Sequence, residues 1–215
     1  MSVSLPNGST FSVAGGYGSA KVTTIATNAT QCVMTSVAHG LSAGDYVEVT
    51  SGWANLNGKV VRLDAVTTDT VTLEDIDTSS TTAYPAGTGL GSFRKITSWT
   101  QVAQILSSAS VGGEQQYAEY QFIESDRKTR IPTSKAAAGL DMEIADDPTL
   151  AGYIALSTAN DDRAQRAIKV TLSNASIILY NAYCSVDKTP SMTVDQVMAV
   201  KASLSFLNAP VRYAS

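Results

Sequence analysis

Histidine and cysteine are nearly absent from this 215-residue sequence: one histidine, His39, stands beside two cysteines, Cys32 and Cys184. A zinc site takes three or four His, Cys or acid ligands held close together, so this scarcity argues against that chemistry. Charge is scarce too, at 16% of residues, and its balance is acidic, 19 Asp and Glu against 15 Lys and Arg for a net charge of -4. Proteins that grip phosphates through many Lys and Arg contacts have the opposite balance, so tight nucleic-acid binding is not expected. No run of about 18 apolar residues occurs, and the opening MSVSLPNGSTFSVAGGYGSAK lacks a basic start and a long apolar stretch. Neither a membrane-spanning helix nor a secretory signal is expected, and the chain reads as one kept soluble in a cytoplasm.

What fills the space is hydroxyl: 25 Ser and 24 Thr, with 44% hydrophobic residues. A compact monomer of this mass exposes roughly 9,500 Å², and Ser and Thr must cover much of it. That composition favours a neutral scaffold over an enzyme. Residues 1–90 hold three basic residues, Lys21, Lys59 and Arg62, against seven acidic ones, which accounts for the whole net charge; the remainder is balanced at 12 and 12. The acidic front reads as a solvated face. Cys32 in QCVM and Cys184 in IILYNAYC read as two small buried hydrophobes.

Three regions are expected. Residues 1–22, rich in Gly and Ser with Gly15, Gly16 and Gly18 around Tyr17, form a mobile arm. Residues 23–90 form a small antiparallel β-module: Tyr46–Thr50 follows a Ser42–Asp45 turn, Leu56-Asn57-Gly58 turns into Lys59–Val66, and Val71–Glu74 follows Asp69-Thr70. Residues 91–215 form the main β-core, with a strand over Ile96–Ile105, a break at Gly112-Gly113 and a strand over Tyr117–Phe122. The charge-dense run Glu124–Arg130 reads as a solvated loop reaching through Pro132 to Gly139. One helix is expected near 148–159, capped by Asp147, with Pro148 at its first position and Leu150, Tyr153 and Ile154 as its apolar stripe. Ile168, Val170 and Leu172 then alternate with polar residues, Asn174-Ala175 turns the chain, and Ser176–Tyr180 completes a hairpin. In the last strand Met198, Val200, Ala202, Leu204 and Phe206 share one face. So long a strand leaves an edge that a neighbouring subunit can complete.

No catalytic, cofactor-binding or metal residues are assigned, and no cofactor is expected. His39, in VAHGL, suits a turn or packing role. The acid pairs Glu143/Asp146 and Asp161/Asp162 flank the helix, where capping and solvation account for them. The glycine-rich stretches at 15–18 and 87–91 lack the Gly-Lys-Ser/Thr ending of a phosphate loop, and Asp64, Asp69, Asp75 and Asp77 fit no EF-hand spacing. Trp53 and Trp99 are the candidate platforms if the chain is instead a glycan-binding β-module.

The segment Ile168–Cys184, then Met192-Thr-Val-Asp-Gln-Val and the strand ending Leu204-Ser-Phe-Leu, resembles the closing hairpin and strand of the major tail tube proteins of long-tailed, siphovirus-like bacteriophages. The helix after Asp147 and the strand at Trp99–Ile105 resemble the rest of that fold, so the likeness spans about 93–210 plus an N-terminal arm. His39–Val47, Leu56–Lys59 and Thr70–Leu73 are similar to a small β-module common in phage tail proteins, here inserted before the core. The resemblance implies a mainly β, sandwich- or barrel-like fold with one short flanking helix, and a structural, non-enzymatic virion protein. It implies stacked hexameric rings whose hollow tube conducts DNA without specific binding during ejection. It also implies tail terminator, tape measure and distal tail proteins as partners, no membrane contact, and assembly of the tail in the host bacterial cytoplasm. By position, Tyr17, Arg127, Lys128, Arg130, Met198 and Phe206 are the expected inter-subunit contacts. A tail terminator, distal tail or baseplate ring protein is the alternative within the same class.

Overall fold

The structure, a computed structural model, describes residues 7–214. β1 (Thr10–Tyr17), β2 (Lys21–Thr23), β3 (Ile25–Ala26), β4 (Val33–Thr35), β5 (Tyr46–Ser51), β6 (Val60–Val66) and β7 (Thr70–Leu73) precede the long β8 (Gly91–Val102). β9 (Ile105–Gly112), β10 (Gln115–Tyr120), β11 (Thr129–Lys135) and β12 (Ala138–Ala145) lead to the helix α1 (Ala151–Asp162). β13 (Gln165–Thr171), β14 (Ile177–Val186), β15 (Ala199–Phe206) and β16 (Val211–Tyr213) follow it. The molecule is mainly β with one short helix, as the alternating pattern predicts. One continuous sheet runs β3-β4-β7-β6-β5-β8-β1-β13-β14-β15-β12-β9, with β2 on β8 and β16 on β14, while β10 and β11 pair separately.

The sheet folds over two hydrophobic cores that share its central strands. In β13, Ala167 belongs to one core and the next residue, Ile168, to the other. Ala14 and Val13 of β1 divide the same way. Successive side chains of a strand point to opposite faces, so strands apolar on both faces can serve both cores. The first core gathers Val47, Val49, Leu63, Leu73 and Trp53 with Phe93, Leu179 and Tyr213; the second gathers Val102, Met142, Ile144, Leu156, Val200, Ala202 and Leu204.

Residues 23–90 are thus continuous with the rest of the sheet through β8, whose start pairs with β5 and whose end pairs with β1. A buried polar junction reinforces the join. Glu48, 2% exposed, pairs with Arg94 at 2.6 Å and accepts from Gln165 Nε2 at 2.6 Å and Asn181 Nδ2 at 2.9 Å. Asn181 Nδ2 also donates to Gly58 O at 3.0 Å, and the Tyr213 hydroxyl accepts from Arg62 N at 2.8 Å.

The expected mobile arm needs correction. Thr10–Tyr17 is a strand within the sheet, paired on both sides; residues 1–6 of that expectation lie outside the described residues. Its glycines mark a bulge, with register shifts against β8 between Ala14 and Tyr17. A Cβ on Gly15 would meet Thr100 Oγ1 at 2.9 Å and one on Gly16 would meet Thr97 Oγ1 at 2.8 Å, so close approach, not looseness, explains them.

The helix is shifted and turned from its expected place. Asp147 Oδ1 accepts from Thr149 N at 3.0 Å, closing a turn over Pro148 before the helix begins at Ala151. Its buried residues are Gly152, Leu156 and Ala159, and Ile154 is half exposed. The small face wins because the end of β8 lies so near: a Cβ on Gly152 would sit 2.6 Å from Gln101 O and Val102 Cα. The C-terminal hairpin forms as expected, β13 pairing with β14 around Ala175 at φ 63°. Val200, Ala202 and Leu204 of β15 are buried together.

Candidate assembly surface

One face of the sheet is open. Cross-strand pairing places Glu143 beside Ser107 and Lys201, Asp141 beside Ala109 and Ser203, and Gly139 beside Val111 and Ser205. Tyr183 and Ser185 of β14 extend the last two rows. Apart from half-buried Gly139 these residues are exposed, while the alternate residues Met142, Ile144, Val200, Ala202 and Leu204 face the second core. Asp141 Oδ1 accepts from Ser203 Oγ at 2.7 Å, and Glu143 Oε2 from Ser107 Oγ at 3.4 Å. The result is a shallow, hydroxyl-rich surface carrying two carboxylates and one lysine, with a hollow of about 290 Å³ bounded by Val111, Gly139, Tyr183 and Ser203.

This surface ends in a strand whose outer edge has no partner strand among the described residues. β9 pairs with β12 on one side and terminates the sheet on the other. Beside its start runs a groove of about 640 Å³ lined by Phe11, Ile105, Leu106, Val170 and Leu172 together with Asn7, Gly8, Ser9, Ser107 and Ser108. A row of free backbone donors and acceptors next to apolar side chains is the setting for pairing with another chain.

Of the segment expected as a solvated loop, Glu124–Lys128 lies outside the strands at the tip of a ribbon, while Thr129–Lys135 is the ribbon's returning strand, which corrects the expectation for that part. β9 and β12 pair from Ile105–Ile144 to Gly112–Ala138, Ala136 N donates to Glu114 O at 2.8 Å, and β10 and β11 continue the pairing from Gln115–Lys135 to Tyr120–Thr129. Gly112 and Gly113, at φ 69° and 81°, allow the kink between the halves; a Cβ at Gly112 would fall 2.0 Å from Ala137 O. The distal half exposes Tyr117, Tyr120, Phe122, Ile123 and Ile131. An exposed apolar cluster of this kind is a candidate interaction surface.

The expected contact residues divide. Arg127, Lys128 and Arg130 lie exposed on the ribbon; Arg130 pairs with Glu119 at 2.7 Å, and Arg127 and Lys128 make no ion pair among the described residues. Met198 is exposed in the connection from β14 to β15. Phe206 is half-buried and stacks on Tyr180 at 4.3 Å. Tyr17 is engaged within the subunit: its hydroxyl accepts from Ala167 N at 2.8 Å, the Arg94 guanidinium lies 4.0 Å from its ring, and burial raises its pKa. The sequence reading passed over the apolar residues of the ribbon and Met192, Val194 and Val197, all exposed. Their signal was apolar residues in stretches with no core-facing partner residues.

Reactive chemistry finds little support. Among the described residues no group of three or more His, Cys, Asp or Glu could hold a metal ion. His39 is buried, its Nδ1 accepts from Leu41 N at 3.1 Å, and its ring meets Phe93 edge-on. Both cysteines are buried and free, and burial pushes the Cys184 thiol up to about 11, away from the thiolate a nucleophile needs. Trp53 is 1% exposed and donates to Pro85 O at 2.8 Å, which removes it as a glycan platform. Trp99 is half-buried against Tyr46, with Lys169 Nζ 4.7 Å from its ring.

None of the curated proteins matches the chain. Among solved structures it is similar to a chain of the anti-feeding prophage cap, the tube-terminating cap, at 13% identity over 54% of this chain and 83% of that one, with a TM-score of 0.39. It is similar to a chain of the anti-feeding prophage baseplate at 10% identity, covering 55% and 86%, with a TM-score of 0.39. A chain of the sheath-tube complex of an extracellular contractile injection system, PVC, in its extended state matches at 10% identity, covering 50% and 80%, with a TM-score of 0.35. The model of the family described as phage tail tube protein, TTP, matches residues 51–215. That match takes in most of the chain, from the end of β5 through both cores and the ribbon, and the chain belongs to the phage tail tube protein family.

Proposed function

We propose that this chain is the tube subunit of a long, siphovirus-like phage tail, closing six copies into a ring and stacking rings into a conduit for DNA. The observation that carries this reading is the open, hydroxyl-rich face of β9, β12, β15 and β14, ending in a β9 edge that has no partner strand among the described residues. Ring closure pairs that edge with a neighbouring copy and turns the open face into the wall of the lumen. Asp141 and Glu143 then outnumber Lys201 on the wall, so passing DNA meets weak repulsion and no counterion-releasing grip. Residues 23–90 lie outside the wall and thicken the tube. The ribbon reaches the adjacent ring, and the tail terminator, tape measure and distal tail proteins meet the tube at its ends and in its lumen. The subunit assembles in the host bacterial cytoplasm and resides in the virion tail.

The test is electron microscopy of concentrated purified protein beside a variant in which residues 115–134 are replaced by a two-residue turn. The full chain should give long tubes, and the variant should give isolated rings or monomers with unchanged circular dichroism. A full chain that stays monomeric at high concentration would overturn the reading.

A further inference from the structure

The groove beside the start of β9 is also where the described chain begins. Asn7, Gly8 and Ser9 line it together with Phe11 of β1, Val170 and Leu172 around the end of β13, and Ile105–Ser108 of β9. Because four successive residues of β9 border it, the groove follows the edge of that strand and not one of its faces, and this edge has no partner strand among the described residues. Asn7 and Gly8 form a turn, with Gly8 at φ 87°. Next to that turn the Ser9 hydroxyl is buried and finds no hydrogen-bond partner among the described residues, although buried polar groups ordinarily have one. The groove therefore combines apolar walls, a row of backbone donors and acceptors, and a polar group short of a partner at the point where the chain enters it.

Residues 1–6, Met-Ser-Val-Ser-Leu-Pro, lie outside the described residues, and the peptide bond to Asn7 starts them at the groove. We infer that Ser2–Leu5 of the same chain is its occupant, lying along β9 in the unassembled subunit and leaving before a neighbouring copy pairs there. Val3 and Leu5 alternate with Ser2 and Ser4, so an extended segment turns both apolar side chains to one side and both hydroxyls to the other. Four extended residues reach about 13 Å, the length of Ile105–Ser108. Pro6 brings no N–H that would need a partner at the turn. The tether decides between this segment and a second copy: joined to the groove through Pro6 alone, the segment acts at an effective concentration on the order of mM, which a dilute second copy does not reach. The contact is autoinhibitory, since one edge cannot pair with two strands, and it guards an edge that would otherwise recruit another chain. The seat stands by itself; that its release permits ring closure rests on the tube-subunit reading.

The test uses two double variants, Leu5→Cys with Leu106→Cys and Leu5→Cys with Ser108→Cys, oxidised as dilute monomer; native Cys32 and Cys184 are buried. At least one pair should close an intramolecular disulfide ten times or more faster than the control pair Leu5→Cys with Val194→Cys, read as the loss of two free thiols at monomer mass. Closure no faster than the control in both pairs would overturn the inference and leave the tube reading standing. A disulfide-linked dimer in place of the closed monomer would assign the groove to the segment of a second copy and overturn it as well. At tube-forming concentration the oxidised variant should assemble at a tenth of its reduced rate or less, and a chain lacking residues 2–5 should assemble tenfold or more faster than the full chain; rates unchanged by both would overturn the autoinhibition. A disulfide that closes in a protein whose full chain and deletion never form tubes would support the seat and remove the tube reading.

Discussion

Glu48 ties the first part of the chain to the C-terminal hairpin. It is a buried carboxylate on β5 whose partners come from β8, β13 and β14, so it joins the acidic front of the sequence to the C-terminal hairpin. Removing one member of a buried ion pair typically costs about 3–5 kcal/mol; here Arg94 retains 36% of its side-chain exposure, which lowers the penalty on the orphaned cation. Glu48→Ala should therefore lower unfolding free energy by about 2–3 kcal/mol in urea titration, and a loss under 0.5 kcal/mol would show that the junction contributes little. Nothing in the sequence marked this residue. It stood among seven acidic residues read as a solvated face, because a one-dimensional charge count cannot tell which carboxylate the fold will surround with amides and a guanidinium.

The elements whose order depends on a core of their own were the legible ones. The β13–β14 hairpin and β15 follow from period-two alternation, since each presents one wholly apolar row to a core. Of the ribbon, β10 is legible in the alternation of Tyr117–Phe122, whereas β11, with every residue exposed and Pro132 within it, offers no buried row and reads as part of a loop. β1 failed for the opposite reason, its glycines being required by close packing and read as freedom. The helix was found, but its buried stripe was misjudged, since Gly152 and Ala159 score as weak hydrophobes while fitting the narrow space against β8. Gly152→Ala tests that packing. In an exposed helix the change would favour folding by about 1 kcal/mol, whereas here the Cβ meets the backbone of Gln101 and Val102 and should destabilise by about 1–3 kcal/mol, read as a lowered melting temperature.

At the scale of the whole molecule, the proposed assembly accounts for how much surface the chain leaves exposed. Its accessible surface is 12164 Å², against roughly 9,500 Å² for a compact monomer of this mass. The excess is consistent with a projecting ribbon and a sheet face left open on one side. The scarcity of charge fits the same account, because a surface spent on neighbours needs hydroxyl and apolar groups more than it needs a solvating coat of charge. Composition and strand pattern, with the family resemblance, reached the class of protein. They did not reach the candidate assembly surface, which exists only once β9, β12, β15 and β14 lie side by side.

In the proposed assembly the face bearing Asp141, Glu143 and Lys201 becomes the inner wall of a six-membered ring. Cryo-electron microscopy of the assembled protein measures it directly. The account predicts six subunits per ring, β9 paired to a neighbouring subunit, and those three side chains on the lumen. A ring with this face turned outward, or with β9 left unpaired, would contradict it.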